Sequence, residues 1–365
     1  MNDWIKAWIV PGAVYQSVVV GGGYGTGREV VEFISSLGPW GGLAAVTLIT
    51  VLMSVVLALS FELARLFQLR EYRAFCQKLL GRFWVSYEVV FILGLVLVLA
   101  VAGSAAGEVL EDSFGIPSLV GISLMLLIVA VLNYCGREWV EKTLTVWGLL
   151  MSVVFIVFVV LTMVYKHEQV MQVFRTSDFD LLGNWWLKGT QFFLYTAFLI
   201  PAVIFAGDHI QTRRQALGAG VVAGILAVLP GLAFHLAFMA GYPAVLEQSL
   251  PTYWMLQQLG LPIMVLVYVV VLFGTIAQTG VGMLQGLNER LDSLWLERYG
   301  HALPAKVHSF TAVGAVVASL FLAKVGIVTL VAKGYGSLAW ISLALFVLPL
   351  LTIGIWNIRR GNPAQ

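Results

Sequence analysis

Charge is what this sequence has least of. Lys and Arg number 21 and Asp and Glu 19 in 365 residues, 11% together, against roughly 25% in a water-soluble protein. Cysteine is nearly missing too. Cys76 and Cys135 stand far apart, a spacing that offers neither a disulfide framework nor a zinc or redox motif, so both are read as unpaired thiols. No nucleophile–base pair is visible, and an enzyme is not expected. The opening MNDWIKAWIV has no basic start and no small-residue cleavage site, so it is not read as a secretory signal. Long polar inserts are also lacking. The longest runs from about 165 to 186, which leaves no room for a soluble domain.

What the chain has instead is apolar residue, 60% of the total, gathered in stretches of about 20, the length that crosses a bilayer. These fall at about 8–35, 41–64, 83–110, 117–134, 138–164, 187–207, 214–240, 262–287, 307–324 and 335–357. The pattern predicts an all-α integral membrane protein, ten transmembrane helices forming a single domain over 1–365. Cytoplasmic loops carry the excess of Lys and Arg. With the N-terminus inside, fifteen basic residues fall on the cytoplasmic side, from Lys6 through the Arg65–Arg82 cluster to Arg359 and Arg360. Five lie opposite (Lys166, Arg175, Lys188, Lys324 and Lys333), and Arg28 alone sits within a span. Both termini are therefore expected in the cytoplasm of a multi-pass cell-membrane protein, for a bacterium the inner membrane. The Arg65–Arg82 loop reads as an amphipathic helix on the anionic leaflet and not as a nucleic-acid contact.

The first span is interrupted by VVVGGGYGTGREVV, residues 18–31. Gly22 and Gly27 have the spacing of a phosphate loop, but Arg28 and Glu29 replace the lysine and hydroxyl residue, and no soluble βαβ unit surrounds them. Glycine costs a helix interior about 1 kcal/mol relative to alanine, so five within Gly21–Gly27 predict an unwound segment. Unwound backbone at membrane depth must be buried in protein or line a cavity. A second break is expected at Pro201 in LYTAFLIPAVIF. Seventeen residues separate Tyr24 from Gly41, and seventeen separate Pro201 from Gly218; the next spans begin 59 and 61 residues on. The chain thus reads as two repeats, about 8–164 and 187–357. Each has five spans, an odd number that inverts the second repeat, and each opens with a broken helix. Inverted repeats with paired broken helices mark secondary transporters, with the site between the breaks.

GGGYGTGRE resembles the Gly-Ala-Gly-Phe-Ala-Ser-Gly-Gln-Glu signature of YkvI-like membrane proteins in the amino acid–polyamine–organocation superfamily. LYTAFLIPAVIFAGDHIQTRRQALGAGVVAGIL is similar to that family's sixth and seventh helices, and IAQTGVGMLQGLNERL to its eighth. The resemblance implies a LeuT-type 5+5 inverted repeat with broken helices 1 and 6. Departures are Arg28 for the signature glutamine, Leu199 for the asparagine after Tyr195, and Gln278-Thr279 for paired threonines. These departures put sodium coupling in doubt.

The expected substrate site comprises Gly23, Tyr24, Gly25, Thr26, Gly27, Arg28, Tyr195, Thr196 and Phe198. Three readings of Arg28 stay open: an ion pair with Glu29 or Glu32, an anchor for a substrate carboxylate, or a guanidinium standing permanently for a sodium ion. Thr275, Gln278 and Thr279 lie on the eighth span. In LeuT-type folds oxygens there and on the first helix form a sodium site, which makes Thr279 the candidate sodium ligand. Glu29, Glu32, Glu88 and His235 are further ion-coupling candidates, because ionisable groups inside spans tend to be functional. The reading is a secondary active transporter, a symporter taking a small polar organic solute. Amino acids or other carboxylates come first and organic amines second. No organic cofactor is expected, and sodium or a proton is the coupling ion. The alternative is a solute sensor that keeps the transporter fold without transport.

Overall fold

The computed structural model describes residues 3–134, 137–177, 183–300 and 305–361 and holds no β-strand among the described residues. In chain order the helices are α1 (Asp3–Trp8), α2 (Val10–Val19), α3 (Gly22–Gly25), α4 (Arg28–Phe33), α5 (Gly38–Phe67), α6 (Tyr72–Leu80) and α7 (Trp84–Phe114). Then follow α8 (Ser118–Tyr134), α9 (Arg137–Thr176), α10 (Trp185–Ala197), α11 (Arg213–Phe238), α12 (Pro251–Gln258) and α13 (Pro262–Tyr299). The last are α14 (Ala305–Ala323), α15 (Ile327–Thr329), α16 (Gly336–Ser342) and α17 (Ile355–Arg360).

Each of the ten expected stretches holds helix. Six segments among the described residues are long and apolar enough to cross a membrane. The pair Trp185–Ala197 and Ile200–Gly207, bent by 61°, makes a seventh. Apolar helices at Ser118–Val131 and Val313–Ala323 are shorter, and the first stretch is cut into α1 to α4. Large apolar side chains such as Leu93, Ile263 and Phe321 face outward, as a hydrocarbon surrounding requires.

Small residues draw the central helices together. A Cβ on Gly220 of α11 would stand 2.3 Å from the Ala58 nitrogen of α5, and one on Gly224 would stand 2.2 Å from Ser54 Oγ. A Cβ on Gly12 of α2 would stand 2.8 Å from the Ala223 Cα of α11. With no hydrophobic drive between helices in lipid, such close backbone approach supplies the packing. Helix α6 corrects one expectation. Its apolar side, Phe75, Cys76 and Leu79, is buried against protein: Phe75 meets Phe346 with ring centroids 6.4 Å apart. The helix therefore turns that side to the bundle instead of to lipid. Cys76 is a free thiol, as expected, whereas Cys135 lies outside the described residues. Between α15 and α17 the helix widens to π-winding at Leu330–Tyr335, Leu343–Val347 and Leu350–Gly354. The first of these windings delivers Tyr335 to the region described next.

Candidate functional site

The glycine run opens the helix where its composition demands. Helix α2 stops at Val19, α3 makes a single turn containing Gly23 and Tyr24, and α4 begins after Gly27. Gly27 sits at φ +83°, and a Cβ there would lie 2.4 Å from the Phe238 ring and 2.7 Å from Thr252 Oγ1. Only glycine satisfies both the left-handed backbone and the close packing. The freed backbone groups find partners. Thr26 O accepts from Thr252 N at 3.1 Å, Gly25 O from Tyr268 Oη at 3.0 Å, and Thr26 Oγ1 from Arg28 N at 3.2 Å.

The second break is a change of winding. α10 ends at Ala197, and Ile200–Gly207 continues as a tight 3-10 helix with Pro201 in its first turn. There the missing proline N–H has no helical partner to lose. Two carbonyls near the bend are again met by tyrosines, that of Thr196 also accepting from Leu199 N at 3.1 Å. Tyr15 Oη donates to Thr196 O at 2.9 Å, and Tyr87 Oη to Phe198 O at 2.6 Å. Sequence reasoning missed Tyr15, Tyr87 and Tyr268. The signal was available, since a lone tyrosine deep in an apolar stretch must find its hydroxyl a partner.

The charged residues of α4 divide. Arg28 is buried. Its Nη1 donates to the carbonyls of Leu246 at 3.0 Å and Gln248 at 3.1 Å, and its Nη2 to Glu32 Oε2 at 3.1 Å. Lys188 of α10 pairs with the other Glu32 oxygen. One network therefore ties α4, α10 and the 246–248 loop together. Glu29 points elsewhere and accepts from Tyr195 Oη at 2.5 Å. Tyr195 in turn stacks on Tyr335, with centroids 4.9 Å apart and planes 17° apart.

A cavity of about 1020 Å³ reaches Gly21. Its walls come from α2, α9, α11 and α13. Met151, Phe155, Ile156 and Phe234 make it largely apolar, while Gln16, Ser17, Ser152, Thr275, Gln278 and Thr279 supply polar atoms. Among the described residues no charged side chain lines it, and Arg28 is not among its walls. Thr275, Gln278 and Thr279 thus come together on one face with the first break. Thr279 Oγ1 would stand 3.4 Å from a Cβ on Gly21. Its hydroxyl donates to Thr275 O at 3.0 Å, and that of Thr275 to Val271 O at 2.8 Å. Each hydroxyl proton is thereby spent on the helix. Tyr24, Thr26, Glu29, Tyr195, Thr196 and Phe198 lie at the breaks and are not among the described walls of the cavity.

His235 and Glu88 lie in other surroundings. His235 is fully buried, with Nε2 3.0 Å from Pro39 O and Nδ1 3.1 Å from Ser35 Oγ. A carbonyl only accepts, so Nε2 carries the proton and Nδ1 accepts from Ser35. The ring fastens α11 to the corner that joins α4 to α5. Glu88 accepts from Tyr72 Oη and lies 3.8 Å from Arg290 Nη1. The Arg290 guanidinium covers the rings of Phe91 at 3.4 Å and Tyr72 at 4.2 Å, so this cluster binds α6, α7 and α13 together.

No family model matches the chain. At the level of sequence it is 23% identical over 341 residues to the uncharacterized membrane protein YkvI of Bacillus subtilis (strain 168), covering 91% of this chain and 92% of that one. Among solved structures it is similar to MhsT in complex with L-phenylalanine, with TM-score 0.64, 15% identity, and 97% and 90% of the two chains covered. It is also similar to a Na+-coupled sialic acid symporter in a substrate-bound outward-open state, with TM-score 0.61, 13% identity, and 96% and 79% covered. A manganese transporter of Eremococcus coleocola gives TM-score 0.57 at 15% identity, with 96% and 78% covered. The resemblance to YkvI-like proteins read from the glycine signature is met by sequence similarity along nearly the whole chain, and the chain has the LeuT-type transporter fold.

Proposed function

We propose that this protein is a secondary active transporter that moves a small organic solute across the membrane by alternating access, coupled to sodium or a proton. The observation that carries the reading is a cavity that reaches one unwound helix at Gly21, with the Arg28–Glu32–Lys188 network beyond that break. Within two repeats of opposite orientation, about 8–164 and 187–357, one helix bundle would rock against a scaffold around this point. With both termini in the cytoplasm, the cavity beside α2 opens inward and the charged network closes the outer side.

The cavity refines the solute. Its walls are apolar apart from Gln16, Ser17 and Ser152 and the group of Gly21, Thr275, Gln278 and Thr279. An amino acid with an apolar side chain fits this division, its polar head against the break and its body against Phe155 and Phe234. Arg28, occupied by two carbonyls and Glu32, closes the site and leaves the substrate to the backbone. Sodium would meet the Thr275 and Thr279 oxygens beside Gly21.

Melting of the detergent-purified protein against amino acids, sialic acid, other organic acids and amines, in sodium and in potassium, tests the reading. A solute at 100 times its dissociation constant stabilises the fold by about 2.7 kcal/mol. Any hit is then followed as labelled solute into proteoliposomes. Uptake that follows an ion gradient supports transport, whereas saturable binding without flux makes the protein a sensor.

A further inference from the structure

Two carboxylates stand three residues apart on α4, and the fold treats them oppositely. Glu32 receives Arg28 and Lys188. Glu29 is 5% exposed and receives one hydroxyl, that of Tyr195, at 2.5 Å. Among the described residues it forms no ion pair within 4.0 Å.

The charged and titratable groups on the elements packed around α4 leave Glu29 without a cation. Arg28 is spent on Leu246 O, Gln248 O and Glu32, and Lys188 of α10 pairs with Glu32. His235 of α11 is held between Ser35 and Pro39. Lys333 on the π-winding and Glu247 beside Leu246 are exposed. What surrounds Glu29 is aromatic: Tyr195 stacked on Tyr335, Phe33 with its ring 5.4 Å from that of Tyr195, and Tyr24. The Tyr24 hydroxyl is buried with no hydrogen-bond partner.

An uncompensated carboxylate charge in such a setting costs several kcal/mol, on the order of a buried unpaired ion. It is relieved by a cation or by a proton. A cation needs space and several oxygens, yet the cavity has neither Glu29 nor Tyr195 among its described walls. A proton needs neither. Tyr195 occupies Oε2, which leaves Oε1 to carry it.

We infer that Glu29 is a proton-binding site at the junction of the two broken helices, and that the coupling ion of the transporter is a proton. In this arrangement the carboxyl holds one proton on Oε1 while Tyr195 donates to Oε2. When α10 swings away and takes the Tyr195 hydroxyl with it, water reaches the carboxyl and receives the proton from Oε1, leaving the carboxylate. The coupling role rests on the transporter reading; the proton site does not.

The test is infrared difference spectroscopy of the full-length purified protein between acid and alkaline pH, in sodium-free potassium buffer, without solute. The wild type should show a protonated carboxyl band that converts to carboxylate. The band should shift in Tyr195→Phe, which has lost the donor to Oε2, and disappear in Glu29→Gln, which keeps the shape of the neutral acid. A band that survives in Glu29→Gln, or is absent from the wild type, overturns the inference. So does a melting point that sodium alone raises in the wild type and not in Glu29→Gln, because Glu29 would then bind a cation. Counterflow of labelled L-phenylalanine is measured beside it. Failure of counterflow counts against that solute, while the infrared band still decides on Glu29.

Discussion

The two broken helices are broken by different means. In the first, glycine is indispensable: Gly27 holds a left-handed φ of +83° with the Phe238 ring 2.4 Å from where a Cβ would be. In the second, α10 bends by 61° into a tighter winding that ordinary residues adopt, with Pro201 at its start. Yet both are completed in the same way, by side chains and backbone from distant helices that satisfy the freed carbonyls. A break in a membrane helix is thus a tertiary object, and residue preference only permits it.

Substitutions can separate the two. Gly27→Ala should have the largest effect. A left-handed alanine costs about 1–2 kcal/mol and the overpacking against Phe238 about 1–3 kcal/mol. Unfolding in detergent should show a loss of about 2–5 kcal/mol, or no folded protein at all. Next is Glu32→Gln, which attacks the network joining the breaks. It leaves Arg28 and Lys188 facing one neutral amide, and breaking a largely buried pair costs about 3 kcal/mol. The double variant Arg28→Gln, Glu32→Gln should recover part of this in a double-mutant cycle. Additive losses would show that the pair is not coupled.

Tyr87→Phe should cost about 1–3 kcal/mol, because it strands the buried Phe198 carbonyl of the second break, whereas Tyr15→Phe should cost less, since Leu199 N still donates to Thr196 O. Tyr268→Phe should match Tyr87→Phe at the first break. Equal losses at both breaks would support the shared means of completion, and a loss at only one would refute it. Smallest is Pro201→Ala. Its ring sits in the first turn of the winding, where no helical hydrogen bond is at stake, so the melting point should move by less than the equivalent of about 1 kcal/mol. A large loss would make the second break as dependent on its own residue as the first.

The sequence carried much of the fold. Apolar runs of bilayer length announced the helices, and five glycines in seven residues announced the first break, because both are local and compositional. The gathering of Thr275, Gln278 and Thr279 beside the first helix was also legible, through the family resemblance. The partners of the charges were not. Arg28 takes its acceptors from Leu246 and Gln248, more than 200 positions along the chain. Glu88 meets Arg290 at a similar remove, and no periodicity relates residues so far apart. The amphipathic pattern of α6 was correct, but a pattern does not say whether its apolar side meets lipid or protein.

What the sequence determined by itself was where the backbone runs as helix in an apolar medium and where it cannot, since hydrophobicity and glycine content act on residues within one turn of each other. Which way each polar group faces was decided only by the tertiary structure. Glu29 and Glu32 are the same residue type on the same helix, one turn apart. One stands between two cations and the other beneath a tyrosine, because α10 and the π-wound segment bring different atoms to the two faces of α4.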